Sequence, residues 1–326
     1  MAYSENSVVY PAADLANGGQ IFRELTRDGS PYPARLAVFG DPVSHSLSPQ
    51  MHNAALEAQA HEFQYVRILV TTEELGHALA DLAEAGFIGT NLTIPHKQAA
   101  FEFVDEITDQ SRLMGSINTI AVIGGKLHGH NTDGPGFAAA LQETLQLKLH
   151  EQRVLILGGG GGAGRAISVQ CALEGCPQIF VANRTLEKAE ILSEQIEESL
   201  GKIITPISLI PEALENALSS VDLVVNATPL GMKESDLSPL PDGLLTREHY
   251  VYDTVYSGGK SALIRQAEAV GAKNANGLSM LLQQGAMAYK IWFDESAPLE
   301  IMKVALSEAT GLQILSPITR DTGVRY

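Results

Sequence analysis

The stretch Arg153-Val-Leu-Ile-Leu-Gly-Gly-Gly-Gly-Gly-Ala-Gly-Arg-Ala166 decides the fold. An apolar run suited to a buried strand leads straight into a glycine turn, and small residues open a helix beyond it. In the frame Gly159-x-Gly161-x-x-Gly164 the segment satisfies a dinucleotide fingerprint. One glycine makes the tight turn, one admits a pyrophosphate to the backbone, and one lets helix and strand pack closely. The frame Gly158-x-Gly160-x-x-Ala163 is equally permitted, so the individual roles stay open while the ligand class is the same in both. Gly159, Gly160, Gly161, Gly162, Ala163 and Gly164 are therefore candidate cofactor residues, because a helix N-terminus offers free N–H groups and a favourable dipole to an anion.

The strand following this helix, Gln178 to Ala182, ends in Asn183-Arg184-Thr185. A turn that selects NAD usually places Asp or Glu here to accept the ribose hydroxyls. This chain has none. Asn183 is neutral, and Arg184 and Thr185 can donate to a 2′-phosphate through charge-assisted bonds worth about 1.5–3 kcal/mol each. NADP is the expected cofactor.

Outward from the turn the pattern repeats as strand and helix: a helix from about Gly162 to Leu173, one from Leu186 to Leu200, and strands at Val221 to Asn226 and Tyr250 to Thr254. This is the doubly wound plan. Upstream, from Leu36, strands and helices also alternate: strands Leu36 to Phe39, Phe63 to Val70 and Ile88 to Ile94, and helices after Pro49 and over Glu73 to Glu84. A helical stretch from Lys97, strands Ile117 to Ile123 and Lys126 to Asn131, and a helix Gly136 to Leu147 follow. Two closing helices, Ser279 to Phe293 and Pro298 to Thr310, are placed to fold back on this first half. The expected architecture is a two-domain α/β chain. Residues 1–34 are an extension with one short helix, Gln20 to Thr26. Residues 35–134 with 277–326 form a discontinuous substrate-binding catalytic domain, and residues 135–276 form the Rossmann NADP-binding domain.

Composition agrees. The chain has 326 residues, 45% hydrophobic and 18% charged, enough for two cores. Its 38 acidic and 22 basic residues give a net charge of −16, which repels nucleic acid and anionic membrane surfaces. An anionic ligand must then be met by local groups. Cys171 and Cys176 are the only cysteines and show no Cys-x-x-Cys spacing, and no stretch reads as a signal peptide or membrane span. A cytoplasmic protein, monomer or homodimer, with a small-molecule substrate is expected. The nine histidines lack ligand spacing, so no metal is expected.

Polar clusters in the first half stand out from their apolar surroundings. Ser46 and Ser48 precede Pro49, with Ser48 expected as N-cap and Pro49 as first helical residue. They and the helix start suit a carboxylate, without a fixed cation. Asn91-Leu-Thr93-Ile-Pro95-His96-Lys97 places a lysine where the helix dipole disfavours it, which marks Lys97 as a candidate proton-transfer group. Ser116-Ile-Asn118-Thr119 and His130-Asn131-Thr132-Asp133-Gly134 each end a strand. Asp133 reads either as a helix cap or as the second half of an acid/base couple with Lys97.

These motifs, HSLSP, NLTIPHK, GSINT, HNTDG, GGGGAGRA, NRT, NATPLGM (Asn226 to Met232), YDTVY (Tyr252 to Tyr256) and GLSMLLQQGA (Gly277 to Ala286), occur in one order. Together they resemble the shikimate dehydrogenase family from Leu36 to about Trp292. The resemblance implies reversible reduction of 3-dehydroshikimate to shikimate with NADPH, in chorismate and aromatic amino acid biosynthesis. It implies Lys97 and Asp133 as the catalytic pair, Ser46, Ser48 and Tyr256 as the carboxylate site, and Thr93, Asn118 and Gln284 as contacts of the ring hydroxyls. Thr228 and Gly277, within the matched motifs, join the cofactor residues. The chain departs from the family pattern before Leu36, in the extra glycine, and in Ser257-Gly-Gly-Lys260-Ser261 after Tyr256. Quinate dehydrogenase is the nearest alternative, and retention of Ser46, Ser48 and Thr93 favours shikimate. A non-catalytic nucleotide-binding regulator would share the fold, but intact Lys97 and Asp133 count against it.

Overall fold

The computed structural model describes residues 8–12, 33–256, 259–312 and 314. Two sheets organise it. The first contains β1 (Val9–Pro11), β2 (Ala34–Gly40), β3 (Gln64–Leu69), β4 (Gly89–Leu92), β5 (Glu106–Ile107), β6 (Thr119–Ile123) and β7 (Lys126–His130), in the order β1-β3-β2-β4-β6-β7-β5. Strands β1 to β4 pair in parallel, and β6 then runs antiparallel to both β4 and β7. Helices α1 (Ser48–Ala58), α2 (Leu75–Glu84), α3 (His96–Ala99), α4 (Asp109–Met114) and α5 (Asp133–Leu145) connect or follow these strands.

The second sheet contains β8 (Arg153–Leu157), β9 (Gln178–Ala182), β10 (Thr205–Ile207), β11 (Leu223–Asn226), β12 (Tyr250–Asp253) and β13 (Lys273–Asn276). Its order, β10-β9-β8-β11-β12-β13, is parallel throughout and reverses direction between β8 and β11. That reversal opens a crevice at the carboxyl ends of the strands, where doubly wound proteins bind ligands. Helices α6 (Gly162–Glu174), α7 (Leu186–Leu200), α8 (Pro211–Leu218) and α9 (Ala262–Val270) complete this layer.

The chain then returns. Helices α10 (Leu278–Phe293) and α11 (Leu299–Thr310) bury Leu282, Tyr289, Met302 and Leu306 against Leu36 and Val38 of β2 and Met51 and Leu56 of α1. Helix α5 faces the other way, placing Phe137 and Leu141 in one core with Val154, Ile156 and Tyr252 of the second sheet. Gly136 lets α5 and α10 approach, since a Cβ there would stand 2.8 Å from the Cβ of Gln284 and 2.9 Å from its backbone N.

Several elements differ from the sequence reading. Val9–Pro11 is no loose extension: it adds an edge strand beside β3, with Val9 in register with Arg67. The helix expected over Gln20 to Thr26 lies outside the described residues. Helix α5 begins at Asp133, not Gly136, because Gly134 and Pro135 disguise its first turn. Strands β10 and β13 were not foreseen. Each is short and lies at a sheet edge, one containing Pro206 and the other mostly polar, so neither shows apolar alternation.

Candidate active site

One cleft of about 170 Å³ lies between the two sheets, lined from the first half by Ser46, Ser48, Thr93, Lys97, Asn118 and Asp133. Tyr256, Gln284, Ala163 and Gly277 line it from later segments. All eight residues expected to bind substrate or act on it therefore meet in one place.

The geometry begins with Asn131. Its side-chain Oδ1 accepts the backbone N–H of Asp133 at 2.9 Å, while its Nδ2 donates to the carbonyl and hydroxyl of Ser116 at 2.8 Å each. Asn131, not Asp133, satisfies the start of α5. The Asp133 carboxylate is left to face the cleft, where Oδ2 accepts from Lys97 Nζ at 2.6 Å and Oδ1 from Asn118 Nδ2 at 2.9 Å. The Lys97 and Asp133 side chains are 18% and 6% exposed, so the pair is shielded from solvent yet reachable from the cleft. Asn118 Nδ2 also donates to Gln284 Oε1 at 3.2 Å, tying α10 to the end of the first sheet.

The serine pair is built differently from its sequence reading. Leu47 is the N-cap of α1, and Ser48 is its first residue with Pro49 following. The Ser48 hydroxyl is not spent on a capping bond. Instead Ser46 Oγ donates to Ser48 Oγ and accepts the Ser48 N–H, each at 3.3 Å. Buried Arg67 on β3 donates from Nε to the Ser46 carbonyl at 2.9 Å and from a terminal nitrogen to Gln50 Oε1 at 3.0 Å. Half-buried Tyr256 stands in the same region; burial lifts its phenol to about 12, with the Arg67 charge opposing the rise, so it keeps its proton and can donate.

At the glycine turn the structure draws one role from each frame. Gly158, with φ of +87°, makes the tight turn, and its backbone N–H is bonded to the Ala182 carbonyl at 2.7 Å. A Cβ on Gly164 would stand 2.2 Å from the Gly158 carbonyl, so Gly164 is the close-packing residue. The tight turn thus follows the frame that starts at Gly158, while the close-packing glycine is the last one of the frame that starts at Gly159. Gly161 is the N-cap of α6 and offers no side chain to its N–H groups, which leaves them for an external anion. A Cβ on Gly159 would stand 2.2 Å from Val181, and one on Gly160 2.9 Å from Lys188 and about as close to Asn183.

The remaining cofactor candidates rim the crevice. Asn183 Oδ1 accepts the Gly160 N–H at 3.3 Å and its Nδ2 donates to the Thr185 carbonyl at 2.8 Å. Thr185 is the N-cap of α7 by position, but its hydroxyl makes no capping bond, and Arg184 beside it is exposed. Thr228 lies across the switch point, where a Cβ on Gly158 would stand 2.7 Å from its methyl group. Gly277 packs so tightly that a Cβ would stand 1.9 Å from the Thr254 carbonyl. The residues present fit a phosphorylated dinucleotide: a turn too tight for side chains, an uncapped helix start, and, at the end of β9, an exposed arginine beside a threonine hydroxyl that makes no capping bond.

This turn meets the cleft directly, for a Cβ on Gly162 would touch the Lys97 side chain at 3.3 Å, and Ala163 lines the cleft itself. The sequence reading missed Arg67 behind the serine turn and Asn131 as the acceptor of the Asp133 N–H. Arg67 alone carried a signal, as the one charged residue within the otherwise apolar stretch Tyr65 to Val70.

Comparison with known proteins agrees with this arrangement. Family models match three segments: the shikimate dehydrogenase substrate binding domain over residues 38–120, shikimate / quinate 5-dehydrogenase over 139–231, and the shikimate 5′-dehydrogenase C-terminal domain over 277–306. The shikimate dehydrogenase (NADP(+)) of Desulforamulus reducens is 42% identical, over 82% of this chain and 93% of the relative. That of Methanopyrus kandleri is 39% identical, over 84% of this chain and 94% of its own. The crystal structure of shikimate 5-dehydrogenase from Thermus thermophilus, in complex with NADP(H) and shikimate, superposes with a TM-score of 0.76 at 36% identity, covering 85% of this chain and 99% of that one. With the fold, the cleft and near full-length relatives in agreement, this chain belongs to the shikimate dehydrogenase family.

Proposed function

We propose that this chain reduces 3-dehydroshikimate reversibly to shikimate with NADPH, using Lys97 as proton donor and Asp133 as the group that orients it. The observation that carries the reading is the 2.6 Å Lys97–Asp133 pair, set against the start of the glycine-turn helix. When bound, the nicotinamide supplies or accepts a hydride. The protein's task is to manage the charge that hydride transfer creates on the carbonyl oxygen. Lys97 Nζ gives a proton to that oxygen in the reducing direction and takes it back in the oxidising one. Asp133 Oδ2 holds the amine in place, and Asn118 fixes the carboxylate through Oδ1.

Ser46, Ser48 and Tyr256 receive the substrate carboxylate, and Thr93, Asn118 and Gln284 contact the ring hydroxyls. Gly158 to Gly164, Thr228 and Gly277 cradle the dinucleotide, while Asn183, Arg184 and Thr185 receive its 2′-phosphate. The working division is a catalytic domain of residues 35–134 and 277–326 and a nucleotide domain of residues 135–276. Among the described residues no helix is long and apolar enough to cross a membrane. We place the enzyme in the cytoplasm, as a monomer or homodimer without nucleic-acid partners.

The test is a matrix of shikimate or quinate with NADP or NAD, followed by nicotinamide reduction. The expected result is highest kcat/KM for shikimate with NADP. A higher value for quinate would move the chain to the alternative within the shikimate / quinate family description.

A further inference from the structure

Helix α5 carries the proposed reacting carboxylate in its first turn, so the way its start is satisfied bears on the chemistry. The first N–H groups of a helix have no partner within it and must find one elsewhere. At α5 each has a definite fate. The N–H of Thr132 goes to Asn118 Oδ1 at 2.8 Å, Pro135 has none, and the N–H of Gly136 closes the first helical bond to the Thr132 carbonyl at 2.9 Å. The N–H groups of Asp133, at 2.9 Å, and Gly134, at 3.5 Å, both turn to Asn131 Oδ1. Thr132 is the N-cap by position, yet its hydroxyl makes no capping bond and instead accepts from Asn118 Nδ2 at 2.9 Å.

Two acceptors thus compete for the free N–H groups of this turn, the Asn131 carbonyl and the Asp133 carboxylate. An anion is favoured at a helix start by the dipole. The carboxylate nevertheless faces Lys97, at 2.6 Å, and Asn118, at 2.9 Å. Asn131 keeps its place through its other arm, whose Nδ2 donates to the carbonyl and the hydroxyl of buried Ser116 at 2.8 Å each. A flipped amide would set oxygen against the Ser116 carbonyl and nitrogen against the Asp133 N–H, so only one orientation satisfies both ends. Asn131 is 5% exposed and is not among the residues lining the cleft. Any effect it has on the reaction passes through Asp133.

We propose that Asn131 is a positioning residue for the reaction: by taking the N–H groups at the start of α5, it keeps the Asp133 carboxylate on Lys97. The inference rests on the Lys97–Asp133 reading given above, and it assigns Asn131 no contact with substrate or cofactor.

The test compares Asn131→Ala with Asn131→Ser in the full-length protein. Serine accepts an N–H two residues on as asparagine does, though more weakly, and alanine offers no acceptor. Both variants shorten the side chain and lose the amide donor to Ser116, so the difference between them isolates the acceptor. In Asn131→Ala, kcat with shikimate and NADP is expected to fall about 10²-fold, the scale of a misplacement of about 1 Å, with KM for NADP within about twofold. Asn131→Ser should recover about tenfold of that loss, since it keeps an acceptor for the helix start. Rates are referred to the concentration of sites that bind NADPH, so partial unfolding does not mimic the effect. If the alanine variant does not fold, Asn131→Cys takes its place, being close to serine in shape but a weak acceptor. Crystals of the variants give a reading apart from activity: the Lys97–Asp133 pair should be open in Asn131→Ala and closed in Asn131→Ser. A parent protein that turns over neither shikimate nor quinate strikes the proposed reaction, and the crystals then still decide what holds the carboxylate. Equal kcat in the alanine and serine variants, or a pair still closed in Asn131→Ala, overturns the role of Asn131 alone.

Discussion

The two halves of this molecule build their binding sites by different means. On the nucleotide side the determinants are local: Gly158 to Gly164 form one turn, and Asn183 to Thr185 end the adjacent strand. The backbone does most of the work there, through a positive φ, missing side chains and an uncapped helix. On the substrate side the determinants are side chains from positions as distant as Ser46 and Gln284, brought together by sheet order and by the return of α10. A site made of backbone is specified by short-range sequence. A site made of converging side chains depends on every element that positions them, and so fails in more ways.

The sharpest probe of this difference is Lys97→Ala, which removes one side chain from the convergent site. We expect kcat to fall by about 10²–10⁴-fold with a much smaller change in KM, read from steady-state kinetics with shikimate and NADP. A variant with near-normal kcat would take Lys97 out of the mechanism. Arg184→Ala is its counterpart on the nucleotide side, where loss of one charge-assisted contact worth about 1.5–3 kcal/mol should lower the NADP-to-NAD efficiency ratio without abolishing turnover. An unchanged ratio would show that Arg184 does not read the 2′-phosphate.

Gly136→Ala tests whether the substrate side too hides a backbone requirement. The added methyl meets the backbone N of Gln284 at 2.9 Å, and we expect α10 to be displaced, with a stability loss of about 1–3 kcal/mol and a raised KM for shikimate. Unaltered stability and KM would break the claim that close approach of α5 and α10 sets the position of Gln284.

The smallest effect concerns pH. His52, His96 and His130, all in the first half, have pKa values lowered chiefly by burial, His52 to about 3. Each stays neutral in the folded protein below the pH at which it would protonate once unfolded. The unfolded chain therefore binds more protons between pH about 6.5 and, for His52, about 3, and stability falls as pH drops through that window. For His52 the slope approaches about 1.4 kcal/mol per pH unit within that window, and His96 and His130 add to it in the same direction. His52 is stacked on Tyr65 at 4.6 Å, and both its nitrogens lack partners among the described residues. His52→Phe should flatten the dependence measured by urea unfolding at several pH values. An identical slope in parent and variant would place the acid lability elsewhere.

Much of this was legible in the linear chain, and its limits have physical causes. The apolar run Val154 to Leu157, the glycine turn and the missing carboxylate near Asn183 announce a doubly wound nucleotide layer, because each feature reports a local requirement of strand, turn or helix. The ordered motifs around Ser46, Thr93, Lys97, Asn118 and Asp133 named the groups that meet in the cleft. Short edge strands such as Thr205–Ile207 escaped, since pairing with one neighbour asks little of their side chains. Even the frame of the glycine turn escaped, because five successive glycines look alike until one of them adopts a left-handed φ.

Residue types and local spacing were thus enough for the layers and the cofactor class, and the ordered motifs named residues that line the cleft. Folding in three dimensions settled that Asn131 relieves Asp133 of capping, that Arg67 stands behind Ser46, and that Val9–Pro11 belongs to the first sheet. Each of these is a contact between residues whose partners are chosen by packing. No local pattern encodes which hydrogen bond a side chain makes when several lie within reach.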